Sequence, residues 1–162
     1  MSDAVRDDVF RPGLLAGKTA FLAGATSGIN FAIAQRYARL GARVYVISRN
    51  PAKVEAAVAS LGGEAAGRAA DVREFDAVAA AMQDCVDRWG PLDIVVSGAA
   101  GNFLARAADL SPKGFRTVID IDLIGTFHVR KAAYPHLRRP GGVALNISAL
   151  QSFQPASAQV HA

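Results

Sequence analysis

The stretch Thr19-Ala-Phe-Leu-Ala23, followed directly by Gly24-Ala-Thr-Ser-Gly28-Ile-Asn30, decides the fold. A short apolar run that ends in glycine predicts a buried strand, and apolar residues at helical spacing from Gly28 to Leu40 predict a helix after it. Glycines allow a tight turn in which backbone N–H groups and the helix dipole attract a pyrophosphate. The alternative is an ordinary strand-to-helix turn, but its place after the first strand favours a nucleotide site. The candidate cofactor contacts in this turn are Gly24, Thr26, Ser27, Gly28 and Ile29.

Strands and helices alternate along the rest of the chain. The later predicted strands cover 43–48, 65–70, 93–97 and 143–148, and the later predicted helices cover 51–61, 75–89 and 111–137. We expect Pro135 to bend or shorten the last turns of the long helix. Such alternation is typical of a parallel sheet covered by helices on both faces. The sequence therefore predicts an α/β, doubly wound, Rossmann-like domain.

Composition narrows the classes of protein that fit. The chain has 162 residues, 51% of them hydrophobic and 20% charged, which is typical of a folded domain. The net charge is +4, but the basic residues are scattered, so we expect no nucleic-acid binding. No apolar run reaches the roughly 18 residues that a membrane span needs. One cysteine, Cys85, and a polar N-terminus predict a cytoplasmic protein, and the histidines lack the spacing of a metal site.

The end of the second strand predicts which dinucleotide binds. Folds of this kind place an acidic residue there to hold the ribose of NAD, whereas this chain has Ser48-Arg49-Asn50. A guanidinium can hold a 2′-phosphate with two hydrogen bonds, and Ser48 can add a third. These three residues therefore predict NADP(H), although a solvated surface arginine is the alternative reading of Arg49.

These motifs resemble those of the short-chain dehydrogenase/reductase family. Gly24 and Gly28 match its T-G-x-x-x-G-x-G motif, with Asn30 at the third glycine, and 97–100 stand where its N-N-A-G motif is usual. The resemblance implies that the cofactor also contacts Asp71, Val72, Ala99 and Ala100. It further implies that 1–162 is one incomplete dinucleotide-binding domain whose first residues, 1–14, form an N-terminal extension.

Three positions depart from the family's usual catalytic set. Counted by the resemblance, Ala149 and Ala162 replace serine and tyrosine, Asp122 replaces asparagine, and the lysine lies beyond Ala162. A subgroup with these changes is the 2,4-dienoyl-CoA reductases of the peroxisomal type and their bacterial relatives. The chain is similar to that subgroup over 10–15, 99–104, 118–122 and 159–162.

The subgroup implies an NADPH-dependent oxidoreductase of fatty acid metabolism that reduces the conjugated double bond of an unsaturated acyl-CoA. Asp122 would organise proton delivery, or it would only pair with the lysine and position the nicotinamide ribose. Its acyl-CoA path would include Arg73, Asn102, Phe103, Ser111 and Lys113. Each of these has a plain alternative as a surface or core residue.

Two other functions stay open at this point. One is a carbonyl, 3-oxoacyl or alcohol dehydrogenase of the same family with a different acid, and the other is an NADP-binding protein without turnover. We expect the 162-residue piece itself to be inactive, because the lysine is missing. The resemblance also implies a homodimer or homotetramer in which the long helix packs against a second copy. The sequence has an apolar stripe on that helix, made by Phe115, Val118, Ile121, Leu123 and Phe127, and the alternative is that this stripe faces the chain's own sheet.

Overall fold

Five parallel strands form one sheet with helices on both faces. The computed structural model describes residues 9–154 and 156–161. Its strands are β1 (Thr19–Ala23), β2 (Arg43–Ser48), β3 (Ala65–Ala69), β4 (Ile94–Ser97) and β5 (Val143–Asn146). They lie in the order β3-β2-β1-β4-β5, so the chain leaves β1 in one direction and crosses back over it to reach β4. The predicted doubly wound fold is confirmed, and the crossing point between β1 and β4 is where such folds bind ligands.

The helices follow the predicted order. They are α1 (Gly28–Arg39), α2 (Pro51–Leu61), α3 (Phe75–Trp89), α4 (Pro112–Ile119) and α5 (Gly125–Ala133). Asn50 and Ser111 cap α2 and α4, since each side chain accepts a hydrogen bond from the backbone N–H three residues later. A proline follows each cap at the first helical position, where its missing N–H costs nothing.

Two hydrophobic cores lie on the two faces of the sheet. Side chains alternate between the faces along each strand, so Phe21 and Tyr45 pack with α3 and α5, while Leu22 and Val44 pack with α1 and α2. All five residues of β1 are buried, as expected for the central strand of a covered parallel sheet. Cys85 lies in the first core, where burial raises the pKa of its thiol to about 12.

The long helix predicted over 111–137 is not a regular α-helix throughout. A π-helical turn, Asp120–Ile124, separates α4 from α5, and the helix ends at Ala133 before a short 3-10 turn that contains Pro135. The five residues of the predicted apolar stripe differ in exposure. Val118 and Ile121 are buried against the chain's own core, whereas Phe115, Leu123 and Phe127 are 44%, 62% and 55% exposed.

The buried carboxylate of Asp93 joins several segments by hydrogen bonds at the end of the sheet opposite the glycine turn. Asp93, at the start of β4, accepts hydrogen bonds from Thr19 N, Lys18 Nζ and Arg138 Nε at 3.0, 3.1 and 2.6 Å. Burial works to raise the pKa of Asp93, but these hydrogen bonds outweigh it and hold that pKa below its usual value.

Candidate functional site

A cleft of about 850 Å³ opens at the carboxyl ends of β1, β2 and β4. The glycine turn, the end of β2, the segment after β3 and the segment after β4 supply its walls. The lining residues are Gly24, Thr26, Ser27, Asn30, Ile47, Ser48, Arg49, Asn50, Pro51, Lys53, Ala70, Asp71, Val72, Arg73, Gly98, Ala99, Ala100 and Ile121. Two of the predicted cofactor residues, Gly28 and Ile29, do not line it, and the side chain of Ile29 is 72% exposed.

The turn at Gly24 lies directly against the backbone that follows β4. Gly24 has φ +76°, and a Cβ there would stand 2.5 Å from the Cα of Ala99. Only glycine permits both this conformation and this approach. The turn leads into the N-terminus of α1, whose first N–H groups have no partner within the helix and receive no cap from the Ser27 side chain, so the residues present fit the pyrophosphate that the turn predicts.

The second wall is basic and lies beyond the end of β2. Ser48 and Arg49 line it as predicted, and Arg49 is exposed to the cleft and solvent. Asn50 lines it too, but its Oδ1 accepts from Lys53 N at 3.1 Å and so serves the helix cap. Lys53 also lines the cleft and was not predicted, because it lies inside α2 and not among the residues directly after β2. No acidic side chain follows β2 within the described wall.

The third wall contains an ion pair that the sequence analysis did not anticipate. Arg73 was predicted to lie on the acyl-CoA path, yet it lines the same cleft as Asp71 and holds both oxygens of that carboxylate at 2.5–3.1 Å. The hydrogen bond from Arg73 is the main cause that lowers the pKa of Asp71. The Asp71 carboxylate therefore stays ionised in the wall of the cleft where the cofactor is predicted to contact it.

Asp122 lies in the π-helical turn and does not itself line the cleft. Its neighbour Ile121 lines the cleft, and its Oδ1 accepts the backbone N–H of Gly101 at 2.8 Å. Burial raises the pKa of Asp122, while the Gly101 hydrogen bond and the nearby His161 act in the opposite direction. The carboxyl group thus retains a proton to higher pH than an exposed aspartate, which is a property of groups that transfer protons.

Three distant segments meet beside Asp122. The ring of Phe103 lies 4.6 Å from that of His161, whose Nε2 is 2.9 Å from the Phe103 carbonyl oxygen. The Phe103 ring also lies near Gly114, where an added Cβ would stand 3.0 Å from Phe103 Cζ and 3.1 Å from Ser111 Oγ. Phe103 and Ser111, which caps α4, therefore lie near the same point, and their place on an acyl-CoA path stays a prediction.

The remaining predicted residues lie at the edge of this group. Asn102 is exposed, and its Oδ1 accepts the N–H of Phe103 at 2.8 Å, which fixes the local turn. Lys113 lies in the first turn of α4 and is exposed. Ala149 lies just after β5, and Ala162 lies outside the described residues. All three tyrosines of the chain stand elsewhere: Tyr37 in α1, Tyr45 in β2 and Tyr134 after α5.

Comparison with known proteins decides the family. The family profile described as short chain dehydrogenase matches residues 18–161. The chain belongs to the short-chain dehydrogenase/reductase family. It is 38% identical to the peroxisomal 2,4-dienoyl-CoA reductase of Arabidopsis thaliana, over 96% of this chain and 56% of that protein. It is 40% identical to the rat enzyme of the same name, over 95% of this chain and 54% of that protein.

Solved structures of the family support the same fold and its cofactor class. A 3-ketoacyl-(acyl-carrier-protein) reductase from Brucella melitensis, complexed with NADH, superposes with a TM-score of 0.85 at 27% identity, over 91% of this chain and 63% of that one. The chain therefore carries the nicotinamide-cofactor fold of the family. It spans about half the length of the two 2,4-dienoyl-CoA reductases.

One prediction from the sequence is wrong. We expected a cytoplasmic protein, but the Arabidopsis and rat relatives are both named peroxisomal, which points away from the cytoplasm. The prediction failed because a single unpaired cysteine argues only against an oxidising compartment and does not distinguish one reducing compartment from another. In the described part of the chain no helix has the length and apolar character needed to cross a membrane, and no three His, Cys, Asp or Glu side chains cluster as metal ligands do.

Proposed function

We propose that the whole protein reduces a 2,4-dienoyl-CoA with NADPH. One observation carries this proposal: Gly101 N–H holds the Asp122 carboxyl next to Ile121, which lines the cofactor cleft. The resemblance places Ala162 where the family's tyrosine is usual. Reduction of a carbonyl needs an acid on the carbonyl oxygen, which the family normally supplies with tyrosine. Reduction of a conjugated carbon–carbon bond needs a proton at carbon, which a carboxyl group with a raised pKa can deliver through water.

The choice of NADPH rests on the charge around the β2 end. Ser48 and Arg49 line the cleft and Lys53 adds a second cation close by. A 2′-phosphate carries about two negative charges, and cationic donors of this kind bind it with strong hydrogen bonds. Asp71 does not oppose it directly, because Arg73 already holds that carboxylate.

The proposed reaction is balanced by one hydride and one proton. When bound, the reduced nicotinamide supplies the hydride to the far end of the diene. The chain's own residues then have two tasks: Gly101 N–H fixes the Asp122 carboxyl, and that carboxyl directs a proton to the α-carbon of the thioester. The double bond that remains lies between the third and fourth carbons, in agreement with the (3E)-enoyl-CoA product in the names of the relatives.

The group around Phe103 is the proposed place for the acyl thioester. Phe103 is 43% exposed, so part of this residue is accessible to an acyl chain. Asn102 presents an amide beside it, and Lys113 at the exposed start of α4 is suited to a CoA phosphate. Arg73 is less suited to that role than the sequence implied, because it forms an ion pair with Asp71 on the cofactor wall.

The test is a reductase assay on the full-length protein that contains this chain. NADPH and a 2,4-dienoyl-CoA are mixed with enzyme and the nicotinamide absorbance is followed, with NADH and a 3-oxoacyl-CoA as parallel arms. Oxidation of NADPH with the dienoyl substrate alone supports the proposal. Turnover of the 3-oxoacyl substrate alone would replace it with a carbonyl reductase, the second candidate that the Brucella structure favours. Binding of NADPH without turnover of either would leave a dinucleotide-binding protein.

A further inference from the structure

Asn30 and Gly98 are in contact where the glycine turn meets the end of β4. Asn30 is the third residue of α1 and is only 8% exposed. Its Nδ2 donates to Gly98 O at 2.6 Å and reaches Gly24 O at 3.5 Å. One buried amide therefore joins the two backbone segments that face each other across the floor of the cleft.

The two residues are matched in size. A Cβ added to Gly98 would stand 2.4 Å from both Nδ2 and Oδ1 of Asn30 and 2.6 Å from its Cγ, closer than real Cβ atoms approach any heavy atom. The amide at position 30 thus occupies the space that a side chain at position 98 would need. Within the described residues no donor reaches Asn30 Oδ1, so the contact with Gly98 and Gly24 is what offsets the burial of this amide.

The usual motifs have these two residue types in the opposite places. The resemblance aligns Asn30 with the third glycine of the turn and Gly98 with the second asparagine of the N-N-A-G motif. Either change without the other is unfavourable. Asparagine at both positions would bring the two side chains into a steric clash. Glycine at both positions would leave a cavity and remove the side-chain donor from the carbonyls of Gly24 and Gly98.

We propose that Asn30 and Gly98 are a reciprocal exchange, and that Asn30 is a positioning residue for the dinucleotide. By tying Gly24 to Gly98 it sets the distance between the turn and the backbone of 98–100, and both of these segments line the cleft. The pairing itself rests on geometry alone. Its effect on the cofactor rests on the proposed cofactor site.

The pairing is tested by a double-mutant cycle on the full-length protein without cofactor, with thermal unfolding as the readout. We expect Gly98→Ala to lower Tm by about 6 °C or to prevent folding when Asn30 is present, but by less than about 2 °C in an Asn30→Gly background. The matched control is Gly67→Ala, whose Cβ would stand 2.4 Å from Val46 O far from Asn30, and whose loss of Tm should be the same in both backgrounds. Additive effects of Asn30→Gly and Gly98→Ala would overturn the pairing.

The positioning role is tested in the full-length protein by NADPH and NADH binding, measured from nicotinamide fluorescence. Asn30→Gly should weaken binding roughly tenfold, and Asn30→Gly with Gly98→Asn should recover it to within about threefold, because the amide returns from the other side. Gly67→Ala should lower Tm without changing either dissociation constant. Unchanged binding in Asn30→Gly, or no recovery in the double variant, would overturn the positioning role. The stability cycle needs no cofactor, so its result is independent of whether the protein reduces a dienoyl-CoA.

Discussion

The backbone N–H of Gly101 donates to Oδ1 of Asp122 at 2.8 Å, joining the segment after β4 to the π-helical turn of the long helix. The carboxyl group is therefore fixed by the same segment that lines the cleft at Ala99 and Ala100. Burial raises the pKa of Asp122, so the folded protein favours its protonated form more than the unfolded chain does. The hydrogen bond from Gly101 thus fixes the position of the Asp122 carboxyl group, while burial favours its protonated form.

The first prediction concerns Asp122. In the full-length protein Asp122→Asn should reduce kcat for a 2,4-dienoyl-CoA by about a hundredfold or more, because an amide keeps the shape and the Gly101 contact but cannot transfer a proton. KM and NADPH binding should change little. Steady-state kinetics with Asp120→Asn as the control, from the same π-helical turn, measure this. A loss of NADPH binding that matches the loss of kcat would instead assign Asp122 to positioning the nicotinamide ribose.

The second prediction concerns cofactor choice. Arg49→Ala should weaken NADPH binding by roughly tenfold to a hundredfold while leaving NADH binding within about twofold, because a charge-assisted hydrogen bond to a 2′-phosphate contributes about 1.5–3 kcal/mol. Arg68→Ala removes the same charge from an exposed position that does not line the cleft. Equal weakening of both cofactors, or an effect of the same size from Arg68→Ala, would contradict the proposed role of Arg49.

The glycine turn and the Arg49 wall could be predicted from the sequence because both depend on local order. An apolar run, a glycine and a helical spacing determine where Gly24 falls, and the parallel sheet brings the ends of β1 and β2 to one edge whatever the details. The residues that follow β2 therefore lie at the edge of the sheet where the cofactor is proposed to bind. These features need no knowledge of side-chain conformation.

Other parts of the site could not be predicted, because they depend on contacts between distant segments. His161 lies 58 residues from Phe103, and nothing in either stretch indicates that their rings meet. The sequence shows only that Asn30 stands at the third glycine of the motif, whereas in the structure its buried amide bridges two carbonyls. The pairing of Arg73 with Asp71 depends on which way a long side chain turns, and the sequence alone suggested a different partner.

The third prediction concerns self-association. Leu123 in the π-helical turn, Phe127 in α5 and Tyr134 just after α5 are 62%, 55% and 65% exposed, and exposed apolar side chains of this size favour contact with a second copy. Leu123→Arg should shift the full-length protein toward monomer in light scattering, while Ile29→Arg, on an exposed residue of α1, should not. An unchanged mass for Leu123→Arg would exclude this face as the interface.

The fourth prediction concerns Tyr45, whose hydroxyl donates to Asp84 from inside the first core. This hydrogen bond is the largest cause that lowers the pKa of Asp84. Tyr45→Phe should lower the free energy of unfolding by about 1–2 kcal/mol at neutral pH, as expected for a lost hydrogen bond to a charged group. The control Tyr134→Phe alters a tyrosine that is 65% exposed and should change it by less than about 0.5 kcal/mol in denaturant titration. A loss from Tyr45→Phe no larger than that of the control would mean that water replaces the hydrogen bond.

The fifth prediction concerns the buried carboxylate at the opposite end of the sheet. Asp93→Asn keeps the shape of the side chain but removes the charge that Lys18 and Arg138 share, so the free energy of unfolding should fall by about 2–4 kcal/mol at pH 7. The folded pKa of Asp93 is lowered, so its stabilisation is fully present above the unfolded pKa of about 3.9 and is lost as pH falls through the folded value. The difference between wild type and Asp93→Asn should therefore be constant from pH 7 to about pH 5 and shrink below about pH 4.

The control for this prediction is a second aspartate–arginine ion pair, between Asp109 and Arg106. Asp109 also accepts from an arginine, Arg106, at 2.6 Å, but both side chains are largely exposed, at 80% for Arg106 and 55% for Asp109. Water and salt screen such a pair, so Asp109→Asn should cost less than about 1 kcal/mol and show no comparable dependence on pH. Denaturant titrations that gave the two variants equal losses in the free energy of unfolding would contradict this prediction. The hydrogen bonds that Asp93 accepts from Thr19, Lys18 and Arg138 would then contribute no more than a surface ion pair. Packing alone would stabilise that end of the sheet.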